Sequence, residues 1–230
     1  MPNTARQLHA QAETLREEGK ILEALQTISQ ALLRYEVEAD IAGFAEALCS
    51  QFLIYNHLYQ QTKFQPYLEC ARAAAEASVR IAKKLTDKSG LIIPLFNLAK
   101  ALEILEDLPA AIENYQQAAQ INQKTVLAKH DQNLLDFDIK LHLELCRLEN
   151  GDKTALEKIE KTIEKLEANK NKNSFHINVL ISGVYLKLTS LLKKQNLTQA
   201  KKYFKLATDL INSDGRLILR KKQLQALHLE

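Results

Sequence analysis

"LFNLAKALEILEDLPAAIENYQQAAQI", residues 95–121, contains two apolar helical faces, and its alanines decide how the two helices meet. Leu95, Leu98, Ala99 and Leu102 recur at three- and four-residue intervals, and so do Ala111, Tyr115 and Ala118 further on. Such intervals place side chains on one face of a helix. A leucine at position 111 or 118 would bury more apolar surface. Two antiparallel helices, however, approach within about 8–10 Å only where small residues occupy the crossing. Ala99, Ala111 and Ala118 permit that closeness, and Tyr115 fills the space beside them.

The rest of the chain favours helix as strongly. Its 230 residues contain only 6 glycines and 4 prolines, while Ala, Leu, Lys, Glu and Gln abound, a balance that argues against a sheet protein with many turns. With 46% hydrophobic and 26% charged residues, the composition is that of an ordinary folded protein rather than a disordered one. The stretch "MPNTARQLHAQAETLREEG" has no apolar core of the length an export signal needs, so a cytoplasmic location is expected. The most apolar window, "INVLISGVYLKLTSLL" at 177–192, holds Asn178 and Lys187. It is shorter than the roughly 20 residues a bilayer requires, so it reads as a buried helix and no membrane is expected. Cys49, Cys70 and Cys146 are odd in number, far apart and outside any CxxC pair, which suits reduced thiols. "NLT" at 196–198 fits a glycosylation acceptor, a match that carries no weight without export.

The grammar of the opening stretch recurs. Residues Leu8, Ala12 and Leu15, then Gly19, then Ala24, Ile28 and Ala31 repeat it, as do Val184, Leu188 and Leu191 followed by Ala200, Phe204 and Ala207. In all three copies the first anchor precedes the second-helix alanine by 16 residues: 8 to 24, 95 to 111, 184 to 200. Aligned on that spacing, Tyr55, Leu58 and Thr62 precede Ala71, Ala75 and Ser78, and Ile139, Leu143 and Cys146 precede Ala155, Ile159 and Thr162. This pattern resembles the tetratricopeptide repeat (TPR), with Gln123 standing where the family has its final proline. The second-helix alanines fall 47, 40, 44 and 45 residues apart, more than the usual 34-residue repeat. Longer helices such as "IAGFAEALCSQFLIYNHLYQQ" and "TVLAKHDQNLLDFDIKLHLELC" absorb the excess. They resemble the extended repeats of kinesin light chains and bacterial peptide-sensing regulators.

The fold expected is all-α: a single right-handed α-solenoid over residues 1–230, of about five TPR-like pairs plus a C-terminal capping helix. The pairs fall near 4–36, 41–86, 91–122, 125–168 and 174–212, and the cap at 216–229. Gly19, Gly90, Gly151 and Gly215 fall between helices, Pro66 opens one, and "NKNKNS" at 169–174 is a polar linker. A terminal segment that covers an open apolar end is what repeat arrays require.

Chemistry is sparsely supplied. Histidines 9, 57, 130, 142, 176 and 228 are scattered, and no HExxH, GxxxxGK[ST] or GxGxxG occurs, so neither an enzyme nor a cofactor is expected. Asp138 and His142 share a helix face and could ligate a metal only with a third donor, and no metal site is assigned. Residues 151–230 hold 16 Lys+Arg against 8 Asp+Glu, whereas residues 1–150 hold 15 against 20, so the C-terminal part is basic, most densely in "LILRKKQ" at 217–223. Lys158, Lys161 and Lys165 alternate with Glu157, Glu160 and Glu164, a solvated face rather than a phosphate track, and no aromatic stacking motif accompanies the lysines. Nucleic acid is not the leading partner.

What the resemblance implies is a protein or peptide partner held on the concave side, which the family lines with first helices. The matching inward positions are His9 and Glu13; Asn56, His57 and Gln60; Phe96, Asn97 and Lys100; Lys140, Leu141 and Glu144; and Tyr185, Leu186 and Thr189. The binding set drawn from them is Asn56, Gln60, Phe96, Asn97, Lys100, Lys140, Glu144 and Tyr185. A carboxamide offers a donor and an acceptor to a peptide unit, and Lys100 and Lys140 add positive charge. The Lys/Asn/Arg clamp with which chaperone-binding members hold C-terminal carboxylates is matched in part only, because His9 and Glu13 stand where it has Lys and Asn. The function expected is a non-enzymatic scaffold or adaptor. The alternatives are a peptide-sensing regulator and an RNA-associated protein using the basic C-terminal half.

Overall fold

The computed structural model describes residues 4–124, 131–168 and 174–227. Among them are eleven α-helices, one 3-10 turn at Lys88–Leu91 and no strand. Two compact units divide the chain, Met1–Val126 and Leu127–Glu230. The first unit contains α1 (Ala5–Glu17), α2 (Ile21–Val37), α3 (Ile41–Thr62), α4 (Gln65–Ala82), α5 (Ile92–Ile104) and α6 (Leu108–Lys124). The second contains α7 (Asp131–Glu149), α8 (Ala155–Ala168), α9 (Ser174–Leu192), α10 (Leu197–Ser213) and α11 (Ile218–Ala226). The fold is all-α, with helix pairs stacked as in an α-solenoid within each unit. The start of the fourth expected pair (125–130), most of the polar linker (169–173) and the end of the expected cap (228 and 229), with His130 and His228, lie outside the described residues.

In the first unit, consecutive helices pair antiparallel, and α3 also touches both α1 and α5. Helices α1, α3 and α5 therefore form one row, backed by α2, α4 and α6. The alanines of the opening stretch do what the pattern requires: Ala99, Ala111 and Ala118 have no exposed surface, nor does Tyr115 beside them. The Tyr115 hydroxyl donates to Glu103 Oε2 at 2.9 Å, so its one polar atom is satisfied. Ala12, Ala24 and Ala31 are equally buried between α1 and α2, and Ala71 and Ala75 on α4.

Local chemistry sets the helix ends. Thr4 and Gln7 form a capping box on α1, and Asp40 accepts from Gly43 N at 2.8 Å to start α3. Gly19 closes the α1–α2 turn with φ +78°. Three other turns use Ala39, Lys63 and Glu106 in the same left-handed region, at φ 54°, 56° and 63°, at a cost of about 1 kcal/mol each. That is how a glycine-poor sequence still makes these turns. Gly43 has a different task. A Cβ there would stand 2.2 Å from Cε1 of Tyr35, so only glycine lets the buried tyrosine of α2 close on the first turn of α3.

The core of the second unit runs through Leu141 and Leu145 of α7, Ile159, Ile163 and Leu166 of α8, Ile177, Ile181, Val184 and Leu188 of α9, and Ala200, Tyr203, Ala207 and Ile211 of α10. Two register expectations need correction. On α10 the buried aromatic is Tyr203, not Phe204, which stays partly exposed. The Tyr203 hydroxyl reaches back to donate to Glu160 Oε1 on α8 at 2.7 Å. On α8 the buried face continues through Ile163 and Leu166 rather than Thr162. Helix α9 is long and apolar enough, by length and composition, to cross a bilayer, but here it packs against α7, α8, α10 and α11 as the central helix of the unit.

The last helix is held by two arginines. Arg216 grips Asp214 with two prongs, Nε to Oδ1 at 2.8 Å and Nη2 to Oδ2 at 2.7 Å, while Asn178 of α9 donates to the same Oδ2 at 3.0 Å. These donors, Arg216 foremost, hold the Asp214 carboxyl well below the usual carboxylate range. The Arg216 guanidinium also lies 4.7 Å from the centre of the Phe175 ring. Arg220 donates Nε to the carbonyl of Val179 at 3.2 Å and lies against Gly183, where a Cβ would come within 2.7 Å of Nη2.

Both close approaches are testable by adding one methyl group. Gly43→Ala, which drives a Cβ into a ring walled in by α2 and α3, should lower stability by about 1–3 kcal/mol despite its better helix propensity. Gly183→Ala meets only the guanidinium end of a long side chain, which can shift where a ring cannot, so denaturant melts should show a smaller loss. Hydrogen exchange should then speed up in α11 rather than throughout.

Candidate functional site

In the first unit the row α1, α3, α5 carries most of the inward positions, and they are tied to one another. Ser50, buried on α3, donates its hydroxyl proton to Glu13 Oε1 at 2.9 Å and therefore accepts from His9 Nε2, also at 2.9 Å. That assignment leaves His9 Nδ1 to accept from the Tyr35 hydroxyl at 3.3 Å. A directed chain of hydrogen bonds thus runs from Tyr35 on α2 through His9 on α1 and Ser50 on α3 to Glu13. Burial pushes the His9 imidazole below its ordinary range, with Glu13 and Glu46 opposing and Arg6 reinforcing. The Ser50–His9 distance is one a nucleophile and base would have, but two features make it a structural tie. Glu13 bonds the serine instead of orienting the histidine, and the N–H groups around Ser50 lie mid-helix, where intrahelical bonds occupy them and none is left for an oxyanion.

Between α3 and α5 a second tie forms. Cys49 hydrogen-bonds Ser78 of α4 and Asn97 of α5, and burial pushes its thiol up to about 11 against the weaker pull of those two bonds, so it is not a nucleophile at neutral pH. Asn97 is therefore a buried partner of Cys49, not a free amide. Asn56 is buried as well, and its Oδ1 has no hydrogen-bond partner among the described residues. His57 is half-buried and also depressed, first by burial and then by Arg16, whereas Gln60 is exposed. On α5, Phe96 is buried, its ring centre 5.7 Å from that of Tyr115. The Lys100 ammonium stands 5.0 Å above the Phe96 ring.

The second unit places the remaining residues differently. Lys140 is neutralised by Asp136 at 2.5 Å. Glu144, nearly buried, takes Arg147 at 2.5 Å and Lys158 of α8 at 3.5 Å. Tyr185 stacks on Tyr203 with ring centres 6.0 Å apart, and burial pushes its phenol up to about 12. Leu141, Leu186 and Thr189 are buried, the last donating to the carbonyl of Tyr185. Asp138 and His142 face each other at 3.6 Å, and no group of three metal-ligating side chains occurs among the described residues. The cationic stretch at 217–223 divides: Arg220 is drawn against α9, while Lys221 and Lys222 stay exposed.

No protein-family model and no curated protein matches the sequence. Solved structures do. The chain superposes on a variant form of the nearly identical TPR-like repeats of a Podosopora anserina kinesin light chain with a TM-score of 0.62 at 16% identity, covering 92% of this chain and 96% of that one. A further crystal structure of those repeats gives a TM-score of 0.59 at 17% identity, covering 98% and 96%. The fold is TPR-like. At such identity the likeness concerns the fold alone. The positions expected to face inward lie on the first helices of the pairs, but most of the aromatic and amide groups there are buried. Sequence reasoning missed the partners Ser50, Cys49 and Ser78, small residues whose role depends on which helices meet.

The His9 tie has a pH signature. Its folded imidazole is depressed, so the folded state binds fewer protons than the unfolded one. Stability from this group is complete above the unfolded value near 6.5 and is lost as pH falls below it. Denaturant melts between about pH 7 and 5 should show stability falling with acid, and His9→Gln should flatten that slope while His57 retains its share.

Proposed function

We propose that the chain is a non-enzymatic interaction scaffold that binds a peptide segment of another protein along the inner helices of its TPR-like repeats. TPR-like folds in general mediate protein–protein contacts, which makes this the first reading for such a fold. The observation that carries it is a cation without a counter-charge on one inner helix of the first unit, with an exposed amide on the adjoining inner helix. Lys100 on α5 has an aromatic ring beneath it but no carboxylate within 4 Å among the described residues, and the Gln60 amide on α3 is exposed. The lysine suits an acidic side chain, with exposed Gln60 offering an amide on α3, which touches α5.

In this reading Lys140 and Glu144 have no direct part, since Asp136, Arg147 and Lys158 already meet their charges. Asn97, bonded to Cys49, shapes the surface from below. The adaptor role and a cytoplasmic setting belong to the same proposal. The solvated helix α8, whose Lys161 pairs with Glu157 at 2.6 Å, argues against a phosphate track, so RNA is the second choice.

The test is selection of displayed peptides on the intact chain, followed by titration of the best binder. Gln60→Ala with Lys100→Ala should weaken it by about 2–3 kcal/mol, roughly one for the amide and more for the charged contact, with an unchanged circular dichroism spectrum. Binding should fall only gently with added salt, whereas phosphate contacts would impose a steep loss. Normal binding by the double variant, with loss on charge reversal at Lys158 and Lys161, would move the site to the outer helices.

A further inference from the structure

Helix α2 is apolar on two faces. Ile21, Ala24, Ile28, Ala31 and Tyr35 are buried against its neighbours. The opposite face carries Leu22, Gln26, Gln30, Leu33 and Val37, spaced by four, four, three and four residues. Leu22 is 67% exposed, Leu33 65% and Val37 78%, so three large apolar side chains line one stripe in water. Leu8 of α1 joins Leu33 and Val37, with Gln30 and Arg34, around a shallow cavity of about 510 Å³ beside the stripe.

The stripe is nearly palindromic. Leu22 and Val37 lie equally far from the midpoint between Ser29 and Gln30, and so do Gln26 and Leu33. We propose that a second copy of this chain docks here, α2 against α2, antiparallel about a two-fold axis. Leu22 of each copy then stands level with Val37 of the other and enters the cavity framed by Leu8, Leu33 and Val37, once on each side of the axis. Isologous contacts require just this self-complementarity.

Charge selects the occupant. Glu23 and Arg34 flank the stripe on one side, about 20° apart around the helix by the 100° per-residue rotation. Neither has an ion-pair partner among the described residues. A two-fold antiparallel arrangement sets this flank against the same flank of the other copy. Arg34 then comes within about two residues' rise, roughly 3 Å along the axis, of Glu23 opposite. The symmetry makes two such pairs. An unrelated partner would have to supply both signs at this spacing, whereas a second copy does so by rotation. One helix face per copy is a small interface, so the dimer dissociates on dilution.

Sedimentation velocity of the full chain over about 5–200 μM is the measurement, a range that brackets a dissociation constant on the order of micromolar. The wild type should move from 26.1 kDa toward twice that mass. Glu23→Arg leaves arginine at both flank positions and Arg34→Glu leaves glutamate at both, so each variant alone should stay monomeric. Mixed in equal amounts they should regain the dimer mass, and the mixture should lose it again when Leu22→Glu is added to both. Circular dichroism of each variant should match the wild type, since all three positions are exposed. A wild type that stays monomeric throughout overturns the proposal. So does a dimer that survives either single charge change, or a mixture that does not reassociate.

Discussion

Everything in this chain depends on how closely two helices can approach at a crossing with no bulk in the way. Ala99, Ala111 and Ala118 bring α5 and α6 together, and Ala12, Ala24 and Ala31 do the same for α1 and α2. A methyl group in place of an isobutyl group gives up apolar burial at that position, on the order of 25 cal/mol per Å². It allows the neighbouring turns to interlock, and the whole length of both helices then contributes packing. Tyr115 and Tyr203 exploit the remaining space, each burying a ring and carrying its hydroxyl to a glutamate on another helix, Glu103 of α5 and Glu160 of α8. Where a side chain has to come closer still, glycine appears, as at Gly43 beneath Tyr35.

Close crossings bring polar groups inside with them. The row α1, α3, α5 is joined by two polar clusters, Tyr35–His9–Ser50–Glu13 and Ser78–Cys49–Asn97. A repeat protein whose pairs touch only their neighbours draws its stability from such interfaces taken one by one. Apolar contacts alone would allow one pair to slide on the next. Hydrogen bonds between named atoms fix the register, because an unmet buried group is costly while a met one is worth about 1 kcal/mol. The histidine in one cluster makes that interface sensitive to acid.

The fold was legible in the sequence because its signal is short-range: alanine, aromatic and leucine at three- and four-residue intervals are properties of one helix and the next. The registers of α8 and α10 were less so. Stepping four residues on from Ala200 and seven on from Ala155 put Phe204 and Thr162 at positions where Tyr203 and Ile163 are buried, since a helix one residue out of step still shows apolar groups on most of one face. The inward residues were harder again. Asn97 looks like a free amide from its own helix. Only the meeting of α3, α4 and α5 gives it Cys49, and no interval within a helix encodes that. Lys140 and Glu144, by contrast, had visible partners in Asp136 and Arg147, four and three residues away, and the spacing alone could have removed their charges from the groove.

The same logic separates surfaces that are finished from those that are not. Along α8 each exposed lysine stands among glutamates, and Lys161 with Glu157 and Lys202 with Glu160 show that these charges are met within the chain. Such a face gains little from a partner, because exposed pairs are worth a fraction of a kcal/mol and water solvates them well. On α2 the outer face is the reverse: three apolar side chains in water, flanked by a cation and an anion that form no ion pair among the described residues. On α3 and α5 the outward groups are polar, the exposed Gln60 amide and the Lys100 ammonium. Unmet apolar surface favours any partner of the right shape, while unmet polar groups favour only one that brings the complementary atom. The chain therefore has two unlike exposed surfaces, and their chemistry is why the contact proposed for α2 is one set by shape and symmetry and that proposed for the inner helices one set by hydrogen bonding.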